Sequence, residues 1–168
     1  PANTGLGFLD AVSDEEILAW ADPDDSDGDG ISGVPNWIPM KEYLIARPGT
    51  IELNDKYIGR FGKKGAAYDL HQQTAQAYNE DIGISSTYEA HDTHSGLQTD
   101  PEITDQTIHD VVFYLKTLKA PIPRENGQAD IASGKVLFNE IGCAKCHRPE
   151  MKTGSSPIAA IAHKTFNP

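Results

Sequence analysis

The sequence predicts a mainly α fold with long loops between its helices, and three observations point there. Apolar residues recur at helical spacing in two segments, 104–118 and 130–141. The 15 glycines and 11 prolines break up much of the remainder. The apolar residues between Trp37 and Lys64 form only short strand pieces.

At 168 residues the chain holds one domain or pieces of two. Hydrophobic residues make up 38% and the mean hydropathy is -0.46, which is modest for a single well-filled core. A net charge of -11 argues against nucleic acid and anionic membrane surfaces, and favours a basic protein partner or a small neutral or cationic molecule. Ordinary solubility charge reads the same way. No apolar run is long enough to span a bilayer.

Taken in order, Pro1 to Val12 is glycine-rich, with Leu6, Phe8, Leu9 and Val12 as its apolar residues, and does not read as a natural beginning. Ser13, with Glu16 three residues on, is a capping box that opens a short helix through Ile17, Leu18 and Trp20. The next stretch, Asp22 to Gly33, places Asp25, Asp27, Asp29 and Gly30 at the first, third, fifth and sixth positions of a calcium loop. Alternating carboxylates suit Ca²⁺ because a wrapped loop turns every second side chain inward, and the carbonyl of Ile31 would be the next ligand. Asn36 takes the twelfth place instead of a bidentate glutamate, and Pro35 and Pro39 interrupt any following helix. The loop therefore lacks an EF-hand frame, and a solvated acidic turn is the alternative.

Gly59-Arg60-Phe61-Gly62-Lys63-Lys64-Gly65 reads as a tight basic turn, either an ordinary surface turn or a place where cations meet the carboxylates of a bound group. Ala67 to Asp81 reads as a helix with Leu70, Ala77 and Tyr78 inward, ended by Gly83. Ser85 to Pro101, with His91 and His94, reads as an exposed polar loop. Thr104 caps the strongest helix, on which Ile108, Val111, Val112, Leu115 and Leu118 share a face, and Pro121 and Pro123 stop it. Asp130 caps a further helix whose apolar face is Ile131, Gly134, Leu137, Phe138 and Ile141, and Gly142 frees the backbone for a turn.

That turn leads into Cys143-Ala144-Lys145-Cys146-His147, which holds both cysteines of the chain. Cys-x-x-Cys-His is the attachment signature of c-type haem. Two intervening residues let one helical turn present both thiols to vinyl groups on adjacent pyrroles, and the next residue lies under the ring, where His147 can ligate the iron. A redox dithiol or half of a zinc site remains the alternative. Zinc would need a second ligand pair, and only His91 with His94 offers an improvised one.

The 130–142 helix feeding the motif resembles the first helix of cytochrome c domains, and the 108–116 helix resembles the last helix of one. The order implies the tail of one cytochrome c-like domain followed by the start of a second: 1–120, a linker at 121–129, and 130–168.

Further motifs fall in a familiar order: Gly5-Leu6-Gly7-Phe8-Leu9-Asp10-Ala11, the Asp22-to-Asn36 loop, Gly59-Arg60-Phe61-Gly62, Asp81-Ile82-Gly83-Ile84-Ser85, Asp110-Val111-Val112-Phe113-Tyr114, then the Cys-x-x-Cys-His. Together they resemble the di-haem oxidoreductases, also labelled thiol oxidoreductase-like, which are related to bacterial di-haem cytochrome c peroxidases and the MauG type. The resemblance implies an internal fragment that lacks a first, upstream haem motif. It implies covalent haem c at Cys143 and Cys146, with His147 on the iron, in the electron-relaying role of a peroxidase-like enzyme. It implies a redox partner protein or a small-molecule oxidant. Residues 86–100 depart from the family pattern.

Attachment of haem to cysteines takes place after export, so the expectation is a mature or truncated piece of a periplasmic or otherwise exported protein. For a sixth iron ligand, Met151 has at most ~14 Å of chain to round the ring edge, so a filler role is expected of it. His163 has the slack, or is an ordinary loop histidine. A simple electron-carrier cytochrome and a calcium-stabilised structural module are the other functional readings.

Overall fold

The structure is a computed structural model, and it describes residues 3–121 and 128–168. Gly5 turns in the left-handed region (φ 79°) and starts a one-turn helix, α1 (Leu6–Asp10). The Ser13 hydroxyl accepts the Glu16 N–H at 3.2 Å and opens α2 (Asp14–Leu18), as the capping box predicts. Two three-residue strands, β1 (Trp37–Pro39) and β2 (Lys56–Ile58), pair antiparallel with Trp37 opposite Ile58.

The helix expected from Ala67 begins instead at Leu70, as α3 (Leu70–Gln76). Ala67 is held outside it by reciprocal backbone hydrogen bonds with Phe61, at 2.9 and 3.0 Å. The Asp69 carboxylate, on extended backbone, then accepts the Gln72 N–H at 2.8 Å and caps the start. A π-helical turn over Ala77–Asp81 continues α3, and Gly83 (φ 70°) ends it as expected. The inward face differs from the apolar reading. Leu70 and Ala75 are buried, but so are Gln72 and Thr74, while Ala77 and Tyr78 are only half-buried. Both polar groups have local partners: Gln72 Oε1 accepts the Tyr68 N–H at 2.9 Å and the Thr74 hydroxyl donates to the Leu70 carbonyl at 2.7 Å.

The strongest predicted helix is α4 (Asp105–Thr117), capped by Thr104 at 3.2 Å from the Thr107 N–H. Ile108 and Val112 are buried in it, with Val111 and Leu115 half-buried beside them. The core is built where α4 meets α3 and α1, from Phe61, Ala67, Leu70, Ile108 and Val112 with Leu6 and Leu9 against them. A second cluster, Ile38, Leu44, Tyr57 and Tyr68, sits on the β1–β2 pair.

The polar loop 85–101 leaves His91 and His94 exposed, as predicted, yet Ser85 and Ser86 at its start are buried. Ser85 Oγ donates to the Asp100 carbonyl at 2.8 Å and the Ser86 N–H to that of Glu89 at 3.1 Å, so the loop folds back on itself.

Arg60 of the glycine-rich turn is not a surface cation. Its side chain is 3% exposed and pairs with the equally buried Asp14, and its Nη1 donates to the Val12 carbonyl. The turn can close so tightly because Gly59 faces the Gly65 carbonyl, where a Cβ would lie at 1.9 Å. Beside this pair, Asp10 binds Lys116 at 3.0 Å and Arg47 at 3.3 Å, tying the end of α1 to α4.

Residues 122–127 of the expected linker, Pro123 among them, lie outside the described residues. The last helix, α5 (Ala129–Glu140), starts one residue before Asp130, which occupies the first turn without a capping bond. Its expected inward face is mostly uncovered: no α5 residue is buried, Ile131 and Phe138 are half-buried, Leu137 is 52% and Ile141 at its end 65% exposed, and nothing approaches Gly134. Beyond the cysteines, β3 (Met151–Lys152) and β4 (Thr165–Phe166) pair antiparallel. This ribbon returns to the start of the chain, where the Gly154 N–H donates to the Ala11 carbonyl at 2.7 Å and the Phe8 and Phe166 rings stand 5.1 Å apart. Among the described residues no helix is long and apolar enough to cross a membrane.

Candidate functional site

The five-residue motif sits on one tight turn. Gly142 (φ 84°) redirects the chain after α5, and Cys143–Lys145 form a 3₁₀ turn. The Cys146 N–H donates to the Cys143 carbonyl at 3.2 Å, and the His147 N–H to the same oxygen at 2.9 Å. Cys143, Cys146 and His147 are thus held on one helical turn. Both thiols are free, Cys143 half-buried and Cys146 exposed.

An open cavity of about 510 Å³ adjoins the motif, walled by Trp20, Phe138, Cys146, His147, Arg148 and Met151. That volume lies in the range of roughly 300–1,000 Å³ in which cofactor sites fall. Phe138, reaching back from α5, stands 6.3 Å from the His147 ring at 60°. The Arg148 guanidinium lies 5.6 Å from the Trp20 ring centre. Met151 is buried in β3 and also forms part of the wall, whereas His163 is exposed and donates its N–H to the Gly154 carbonyl at 3.0 Å.

The residues around the cysteine turn fit the group the motif implies. Two free thiols on one turn, an adjacent imidazole, aromatic and thioether walls and one flanking guanidinium all suit a porphyrin with anionic edges. A zinc site fits less well. Among the described residues, the group of three or more ligating side chains whose atoms converge is Asp22, Asp25 and Asp27, not one that includes the cysteines.

The acidic loop is closed by the Asp22 N–H on the Gly33 carbonyl at 2.9 Å. Its carboxylates first serve the loop's own backbone. Asp22 accepts the Ser26 N–H at 2.9 Å and the Asp27 N–H at 3.3 Å, and these bonds pull its pKa below the ordinary carboxylate value. Asp25, at φ 50°, accepts the Gly30 N–H at 3.0 Å. Oxygens of Asp22, Asp25 and Asp27 lie within 4.8 Å of one another. Asp29 is not in that group. It accepts the Ile31 N–H at 2.8 Å and faces Lys145 Nζ at 3.6 Å. Asn36 turns away and donates to the Lys64 and Gly65 carbonyls.

Sequence spacing missed two features. Asp22 joins the carboxylate group from outside the loop numbering, its only signal being the Asp-Pro turn it starts. The loop and the cysteine turn also touch: Lys145, inside the motif, donates to the Asp29 carbonyl at 2.8 Å. Asp22, Asp27, Asp29, Ile31, Lys145 and Arg148 line a shared cavity of about 300 Å³.

With this geometry in place, comparison with known proteins is specific on one point. The family model described as "Di-haem oxidoreductase, putative peroxidase" matches residues 2–168. No curated protein and no solved structure matches the chain. The Cys-x-x-Cys-His turn and a family match over nearly the whole chain agree, and the chain belongs to the di-haem oxidoreductase family.

Proposed function

We propose that the chain carries a covalent haem c centre that transfers electrons in a di-haem, peroxidase-like oxidoreductase. The observation behind this is the single turn that holds two free thiols and His147 beside an aromatic-walled cavity. Cys143 and Cys146 would hold the haem through thioether bonds, and His147 would ligate its iron. When bound, the haem supplies a one-electron ferrous/ferric couple. The chain's own contribution is positional. The 3₁₀ turn presents both sulfurs, Phe138 stands beside the exposed His147 ring, and Trp20 and Met151 wall one side of the cavity.

A cytochrome c-like arrangement is supported by α5 leading directly into the motif and by the close crossing of α1 and α4 at Gly7. Thioether attachment implies maturation in the periplasm or another exported setting. The net charge of -11 favours a basic redox protein, or a small-molecule oxidant that charge does not repel. Ca²⁺ is the cation that the oxygens of Asp22, Asp25 and Asp27 would take, with Asp29 and the Ile31 carbonyl on the same loop.

Production in a host with cytochrome-maturation machinery tests the proposal. Haem that stays with the protein in a denaturing gel and a Soret band are expected, both lost in the double variant Cys143→Ala, Cys146→Ala. A fully matured wild-type chain with no covalent haem would refute it.

A further inference from the structure

Where α3, α4 and the 85–101 loop meet, four titratable rings pack together. The Tyr88 ring stands 4.3 Å from that of His71, 5.2 Å from Tyr43 and 6.2 Å from His109. Tyr88 is half-buried and leans on the core cluster around Leu70 and Ile108. Each phenol in the group meets a base. The Tyr88 hydroxyl lies 3.2 Å from His109 Nε2, and it donates there when the imidazole carries its own proton on Nδ1. The Tyr43 hydroxyl donates to Glu89 Oε1 at 2.8 Å, and Lys41 holds the same carboxylate at 3.1 Å.

That arrangement is what a phenol needs in order to give up an electron. Taking the electron alone leaves a strongly acidic radical cation, and losing the proton to water first requires a pH near the phenol's ordinary pKa of about 10. Both phenols are held above that value, Tyr43 by burial and Glu89, Tyr88 by burial and Asp105. The remaining route hands the proton to a base already in hydrogen-bond reach. Of the two bases, an imidazole is the stronger and a carboxylate the weaker, and Glu89 is also tied to Lys41. His109 is exposed, so an imidazolium formed there is hydrated. Asp69 and Asp105 favour added positive charge in this cluster, and Lys116, which pairs with Asp10, opposes it. His71 is kept neutral beside Tyr88 by its burial.

We infer that Tyr88 is a redox-active tyrosine, which gives one electron to an outer-sphere one-electron oxidant while its hydroxyl proton passes to His109 Nε2. The O–H bond breaks, an N–H bond forms, and the oxidant is reduced by one electron. A neutral phenoxyl radical and an imidazolium remain. An electron returned by a reductant reverses both transfers. The inference does not rest on haem being attached at the cysteine turn.

Rapid-freeze EPR of the fully oxidised, matured protein, with any free thiol first alkylated, tests it. The oxidant is photogenerated tris(bipyridine)ruthenium(III), with pentaamminechlorocobalt(III) as the terminal electron acceptor. A tyrosyl radical signal is expected, lost in Tyr88→Phe and kept in Tyr114→Phe, which removes an exposed phenol. In His109→Ala the radical should form about 100-fold more slowly or less, as loss of a positioned base predicts, while circular dichroism shows the fold retained. Added imidazole should restore the rate in that variant, which a merely structural role for His109 would not allow. A signal unchanged in Tyr88→Phe, a rate unchanged in His109→Ala, or no recovery with imidazole would overturn the inference.

Discussion

Gly7 of α1 lies directly against the backbone of Lys116 in α4, so closely that a Cβ on Gly7 would stand 2.0 Å from the Lys116 carbonyl oxygen. No side-chain rotation relieves that contact, because both sides are backbone. The crossing is reinforced by the Gly5 N–H on the Leu118 carbonyl at 2.9 Å and by Lys116 on Asp10 at 3.0 Å.

Gly7→Ala should therefore push α1 off α4 and cost about 1–3 kcal/mol or more, as overpacking does. Gly134→Ala is the matched control, since that glycine is in mid-helix and faces open space. It should be neutral or stabilise by about 0.5–1 kcal/mol through helix propensity. Thermal melts of the two variants check this, and similar melting temperatures for both would contradict the crossing.

The buried pair of Arg60 and Asp14 should behave asymmetrically. Asp14 also accepts the Ile51 N–H at 2.8 Å, so it stays buried when Arg60 is removed. Arg60→Met should cost about 3–5 kcal/mol, whereas Arg60→Met with Asp14→Leu should recover part of that loss. Urea midpoints of the two single variants and the double variant give the coupling. Simple additivity would mean the pair is not coupled in the folded state.

His71 should make stability fall on mild acidification. It stands on α3 edge-on to Tyr88 at 4.3 Å and 5.3 Å from the His109 ring, and its Nε2 is buried without a partner. Burial lowers its pKa from the ordinary 6.5, with His109 and Lys116 adding to the fall and Asp69 and Asp105 opposing it. The unfolded chain therefore binds the proton first. Stability is full above about pH 6.5 and is lost as pH falls from there toward the folded pKa. Denaturation midpoints at pH 7.5 and 5.5 should differ less in His71→Gln than in the wild type. An undiminished difference would rule His71 out as the source.

Calcium should raise the melting temperature, and chelation should reverse the rise. Binding at one hundred times its Kd would add about 2.7 kcal/mol. Asp25→Asn, which removes a charge from the converging group, should blunt the response, while Asp24→Asn, outside that group, should not. A chelator-insensitive melt would leave the loop as a hydrogen-bonded acidic turn.

What the sequence by itself determined is local. The Ser13 and Thr104 caps, the period of α4 from Ile108 to Leu115 and the Gly83 and Gly142 turns all depend on residues within a few positions of one another. So does the Cys-x-x-Cys-His turn, which brings two thiols and one imidazole onto five consecutive residues. The tertiary structure decided what needs a distant partner. It placed the close glycine crossing at Gly7 and not at Gly134, because α4 packs against α1 at Gly7 and nothing described approaches Gly134. It buried Arg60 because Asp14, 46 positions away, was there to meet it. It brought Asp22 into the carboxylate group and set Lys145 on Asp29, a pairing across 116 positions that no spacing rule encodes. Local hydrogen bonds fix the backbone, but burial and charge pairing depend on which surface arrives opposite, and only the folded chain supplies that.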